Sequence, residues 1–114
     1  MKIAVAIVLV ALTLAGTASS GSLTRDQRLS RAEIVRVFGN DATALRVAWC
    51  ESHWQRKSWS GADSGVFQIN YSAHHHSGES VSAFRAKFEN RRTNVAFAWR
   101  LSRHGTNWNP WTCY

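Results

Sequence analysis

The chain has 114 residues, 45% of them hydrophobic, with 14 Lys plus Arg against 7 Asp plus Glu, a formal net charge of +7. That length fits one modest domain, and two cysteines allow at most one internal bridge. A basic balance draws a protein to polyanions, but arginines scattered along the chain without a recognisable motif argue against nucleic acid as the partner.

Lys2, the apolar run from Ile3 to Ala15 and the small residues that follow have the form of a secretory signal peptide, with cleavage expected near Ala18. The run is too short to cross a bilayer as a stop-transfer helix. Thr17 stands where a lipoprotein would need its acylated cysteine, so no stable membrane anchor is expected. The expected division is a signal peptide over 1–18 and one exported domain over 19–114, expected to be a monomer. The mature chain keeps 96 residues and a charge of +6, thirteen cations against seven anions. So small a core gives only a marginal balance against chain entropy, and a staple helps. Export favours a Cys50–Cys113 bridge worth about 4 kcal/mol in the chain-entropy account; two free buried thiols are the other reading.

No repeat, linker or low-complexity tract follows, and the expected fold class is mainly α, a compact helical domain of α+β type with a short loop or hairpin walling a cleft. "TRDQRLSRAEIVRVFGN" carries capping-box patterns at Thr24 with Gln27 and at Ser30 with Glu33 and ends in Gly39, which predicts a helix over about 24–38. Asp41 caps a second helix whose Leu45, Ala48, Trp49 and Ser52 share one face. Glu51 falls near its end, about 60° from Ala48, on the border of that stripe. The Gly- and Ser-rich stretch from Gln55 to Gly78 reads as a structured loop or hairpin lying across the second helix. A short helix over 80–89 is expected to bury Val81, Phe84 and Phe88. The last helix, in "NRRTNVAFAWRLSRHG", is apolar around most of its circumference and is expected to be buried.

The segments "ALRVAWCES", "SGADSGVFQIN" and "NVAFAWRLSRHGTNWNPWTCY", in that order and spacing, resemble the lysozyme-like superfamily. The pattern is similar to small secreted peptidoglycan-cleaving domains, between the soluble lytic transglycosylases (SLT) and the resuscitation-promoting factors, and covers about residues 41–114. The latter family also has a cysteine directly before its catalytic glutamate, bonded to a late one, as Cys50 and Cys113 would be. The resemblance implies a cell-wall glycosidase that cleaves the β-1,4 bond between N-acetylmuramic acid and N-acetylglucosamine, with Glu51 as catalytic acid and no cofactor.

The chemistry requires a carboxyl still protonated near neutral pH, which desolvation by Trp49, Trp54 or Phe67 would supply to Glu51. The competing reading pairs Glu51 with Arg46, Arg56 or Lys57 at a helix end. Asp63 is the candidate second carboxylate, although an Asx turn in a Gly-Ser-rich loop also accounts for it. Lytic transglycosylases typically work with one glutamate and leave a 1,6-anhydro sugar, which is the expected outcome here; plain hydrolysis is the alternative. By resemblance Gly65 lets the backbone approach, and Gln68 and Asn70 bond sugar amides or orient Glu51. Tyr71, Trp108 and Trp111 are candidates to stack on pyranose rings, though the tryptophans can equally pack the disulfide. Of Val66, Phe67 and Ile69, two are expected in the core. The run His74 to His76 does not form a metal motif, since adjacent residues cannot all face one ion and no HExxH is present. Two further classes remain, a non-catalytic wall-binding module and a cationic antimicrobial or signalling domain acting on membranes or receptors.

Overall fold

The computed structural model describes residues 21–113; the expected signal segment, 1–18, lies outside them. Five helices and one small sheet make up the described chain: α1 (Arg25–Phe38), α2 (Ala42–Ser52), β1 (Trp59–Ser60), β2 (Asp63–Ser64), β3 (Ile69–Asn70), α3 (Tyr71–His74), α4 (Val81–Phe88) and α5 (Arg91–Leu101). The mainly α architecture with a hairpin-like insert is the expected one.

Local chemistry sets most boundaries. Thr24 caps α1 in a reciprocal capping box with Gln27, and Gly39 follows the helix at φ 72°. The second capping-box pattern is not used: Ser30 lies mid-helix and buried, where its hydroxyl accepts from Arg91 Nε at 2.9 Å. Asp41 Oδ1 accepts from the N–H groups of Thr43 and Ala44 and opens α2. Ser80 and Asn90 do the same for α4 and α5.

The core gathers Ile34 of α1; Ala44, Val47 and Ala48 of α2; Val66, Phe67 and Ile69 of the insert; Phe84 and Phe88 of α4; Val95 and Ala98 of α5; and Trp108 and Trp111 of the tail. Three expectations change. The buried stripe of α2 is Ala44, Val47, Ala48 and Ser52, rotated from the expected face, so Trp49 stands 38% exposed and packs edge-on against Trp54. Val81 is 43% exposed, because the first turn of α4 projects past the core that Phe84 and Phe88 fill. Helix α5 buries one side only, through Asn94, Val95 and Ala98, while Phe97, Trp99 and Leu101 are half-buried.

The sheet is an antiparallel meander, β1-β2-β3, with Ser64 opposite both Trp59 and Ile69, and Asp63 opposite both Ser60 and Asn70. Side chains alternate between faces of a strand. Ser64 and Ile69 accordingly enter the core, and Asp63 and Asn70 point to the other side. The Cys50–Cys113 disulfide forms, with Cα atoms 5.9 Å apart, and ties the end of α2 to the tail.

Candidate active site

Glu51 takes its place from the rotated stripe of α2. It follows Ala44 by seven residues and Val47 by four, both buried, so it continues the core stripe where the stripe reaches the surface. The next three residues lock that helix end. Ser52 is buried and its hydroxyl donates to Val66 O at 2.7 Å, joining α2 to the insert. His53 closes the helix in the left-handed region, φ 55° and ψ 36°, and its carbonyl accepts from Gln27 Nε2 at 3.0 Å. The indole of Trp54 donates back to Leu45 O at 3.0 Å.

A cleft of about 440 Å³ opens in front of Glu51. Asp63, Gln68, Asn70 and His74 supply its polar wall, and Leu101, Pro110 and Trp111 the apolar one. Burial, and secondarily the negative charge of Asp63, push the Glu51 carboxyl above the usual carboxylate range. The desolvating surface is not the expected one, since Trp49, Trp54 and Phe67 do not line the cleft and Trp111 does. The ion pairs among the described residues are Arg36 with Glu33, Lys87 with Glu79 and Arg91 with Asp26, so Arg46, Arg56 and Lys57 leave Glu51 unpaired. Burial pushes the His74 imidazole down, towards its neutral form.

The candidate binding residues divide into two groups. Asp63 and Asn70 meet across β2 and β3, where Asn70 Nδ2 donates to Asp63 Oδ1 at 2.8 Å, while Asn70 Oδ1 accepts from Ala73 N and caps α3. The second N–H of that amide stays available. Gln68 sits at φ 50° and spends its Nε2 on the carbonyls of Ser58 and Gly65, each at 3.0 Å, leaving Oε1 as its acceptor in the cleft wall.

Gly65, Tyr71 and Trp108 are elsewhere. Gly65 has φ 79°, and a Cβ there would lie 2.2 Å from both Phe88 O and Asn94 Nδ2; the close approach it permits is to α4 and α5 and not to a sugar. Tyr71 donates its hydroxyl to Glu79 O and is flanked by a stacked His75 and an edge-on Phe84, so its ring is occupied. Trp108 is 8% exposed, packed among Phe38, Phe67 and Trp111. Val66, Phe67 and Ile69 are all three buried, one more than expected. The three adjacent histidines diverge: His74 packs edge-on to Phe97, His75 stacks on Tyr71, and His76 is exposed. Among the described residues no group of three or more His, Cys, Asp or Glu is placed to hold a metal ion.

One supporting residue escaped the sequence reading. Asn94 is fully buried; its Oδ1 accepts from Phe67 N at 2.8 Å and its Nδ2 donates to Ser64 O and Phe88 O. Its signal was available, a lone amide on the otherwise apolar side of a helix. Trp111 both walls the cleft and fastens the tail, donating its indole N–H to Phe67 O at 2.8 Å. A separate cavity of about 410 Å³ lies near Leu29, Arg56, Arg91 and Arg92, but its carboxylate, Glu33, is held by Arg36. The acid with a raised pKa is in the cleft.

The site is thus a half-buried carboxyl with a raised pKa at a helix end, facing a three-stranded insert across an open groove. A family model described as a lysozyme-like domain matches residues 37–113, and the chain belongs to that family. Comparison with curated proteins and with solved structures gave no match. Membership points to peptidoglycan as substrate and to a glycosidase or transglycosylase kind of activity. No helix among the described residues is long and apolar enough to cross a membrane.

Proposed function

We propose that this protein is an exported lytic transglycosylase that cleaves the bond between N-acetylmuramic acid and N-acetylglucosamine, with Glu51 as its acid and base. The observation that carries the reading is the unpaired Glu51 carboxyl in the cleft, held above its ordinary range by burial and by Asp63. Its proton goes to the bridging O4 as the C1–O4 bond breaks. The carboxylate then takes the proton of the muramic acid C6 hydroxyl while O6 bonds to C1. The product is a 1,6-anhydro sugar, no water is consumed, and Glu51 is again protonated.

In this scheme Asp63 acts at a distance, its charge favouring the cationic sugar that develops at C1. Gln68 Oε1 and the spare N–H of Asn70 face the groove and suit the acetamido groups of the substrate. Asp63 also supports a second reading, hydrolysis, in which it activates a water on the opposite face of the sugar. The cysteine bridge fits an oxidising compartment, as does the apolar run near the N-terminus, and both favour a secreted or cell-wall-associated protein.

Mass spectrometry of the fragments released from purified peptidoglycan tests the reading. The expected products are lighter by one water than hydrolysis yields, and Glu51→Gln should release none. Reducing ends of full mass would instead make the enzyme a hydrolase, with Asp63 as the second carboxylate. Wall binding without release by either protein would make it a binding module.

A further inference from the structure

Beside the cleft lies a second cavity of about 310 Å³, formed where α3, α4 and α5 meet. His74 lines both cavities, so the two share a wall. Every ionisable group lining the second cavity is basic: His74, His76, Lys87 and Arg100. Its apolar surface comes from Phe88 and Phe97, which pack edge-on at 5.1 Å. Lys87 is already engaged with Glu79 at 2.9 Å, and Glu79 itself is outside the lining. Arg100 has no acidic partner among the described residues; its guanidinium lies 5.7 Å from the Phe97 ring and is solvent-exposed. The volume is at the lower end of the roughly 300–1,000 Å³ of small-molecule sites.

We propose that this cavity receives the peptide stem of the muramic acid residue bound in the cleft, with Arg100 pairing a stem carboxylate and the half-buried Phe97 ring, backed by Phe88, taking the alanine methyl groups. The inference rests on the cleavage reading above, since the stem is attached to the sugar whose bond is cut. A stem leaves the glycan strand laterally from its lactyl ether, so its pocket must adjoin the cleft without lying in line with it. The shared His74 wall gives that relation. A stem carries alanine methyl groups and carboxylates beside its diamino acid, and the first two match an apolar surface rimmed by cations. A guanidinium suits a carboxylate because it donates two parallel hydrogen bonds, and the aromatic ring beneath it keeps it in place.

The test compares two substrates, intact peptidoglycan and the same material stripped of its stems by an amidase, cut by the wild type, Arg100→Gln and Arg100→Lys. The readout is the ratio of kcat/KM on the intact substrate to that on the stripped one. The wild type should prefer the intact substrate. Arg100→Gln should lower the ratio roughly tenfold, the loss of a charge-assisted hydrogen bond, and Arg100→Lys should keep part of it because the charge remains. Thermal melts alongside separate misfolding, which lowers both rates together, from loss of the pocket. Equal cutting of both substrates by the wild type, or an unchanged ratio in Arg100→Gln, overturns the stem pocket and leaves the cleavage reading standing. No release from either substrate by the wild type overturns both.

Discussion

In the proposed mechanism Glu51 serves catalysis at a cost to folding, and the two effects separate with pH. Its carboxyl is raised in the folded chain, chiefly by burial, so ionising it opposes folding. The sign follows from linkage: a group raised on folding contributes stability below its unfolded pKa and loses that contribution as pH rises through the folded value. Glu51→Gln, which cannot ionise, should therefore be the more stable protein at neutral pH, with the difference closing below about pH 4, where a free glutamate is itself protonated. Urea melts at several pH values measure this. The same variant should lose about 10²–10⁴ in turnover, the usual worth of a positioned acid. Asp63 is the second cause of the raised Glu51 pKa, so Asp63→Asn should move the alkaline limb of the pH–rate profile to lower pH. An unmoved limb would remove Asp63 from the electrostatics of the site.

At the scale of elements, the active-site geometry depends on how the insert is held to the helices, and Asn94 is central to that. It joins Phe67 N, Ser64 O and Phe88 O, three backbone groups in three segments. Asn94→Ala would take a partner from each of these buried groups, at about 3 kcal/mol in total or more, since each orphaned group costs about 1–3 kcal/mol. The melting temperature should fall by more than about 10 °C for a domain of this size. A smaller fall would mean that water takes the vacated place. The helices themselves were legible because Thr24, Asp41 and Ser80 announce their starts and 3.6-residue periodicity their faces. The facing of α2 was not, because Leu45 and Trp49 satisfy the periodic pattern as well as Ala44 and Val47 do. The smaller residues enter the core where helix and insert approach closely. Glu51 was singled out by the family resemblance and Asp63 as its nearest candidate partner, and both line the cleft. The displacement of Gly65, Tyr71 and Trp108 from the cleft was not legible, since it is decided by Asn94, His75 and Phe38, partners distant or neutral in the linear pattern.

Over the whole molecule, one covalent link connects stability to the shape of the site. Cys50 immediately precedes the acid, and Cys113 follows Pro110, Trp111 and Thr112, which wall the cleft. The bridge spans 63 residues of sequence, a loop whose closure contributes about 4 kcal/mol in the chain-entropy account. The tail has a second attachment, the hydrogen bond from Trp111 Nε1 to Phe67 O, and its indole is buried. Breaking the disulfide should therefore lower stability throughout the chain while the tail keeps part of its contact with the core. The expected result of replacing both cysteines with alanine is an unfolding free energy lower by about 4 kcal/mol, with activity reduced but measurable at temperatures where the variant stays folded. Equilibrium denaturation and peptidoglycan release, measured on the same preparation, check the two halves. Activity that vanishes while the fold persists would show that the bridge, and not the Trp111 contact, holds the apolar wall against Glu51. Activity unchanged in the folded variant would make the bridge a staple alone, with Trp111 sufficient to shape the cleft.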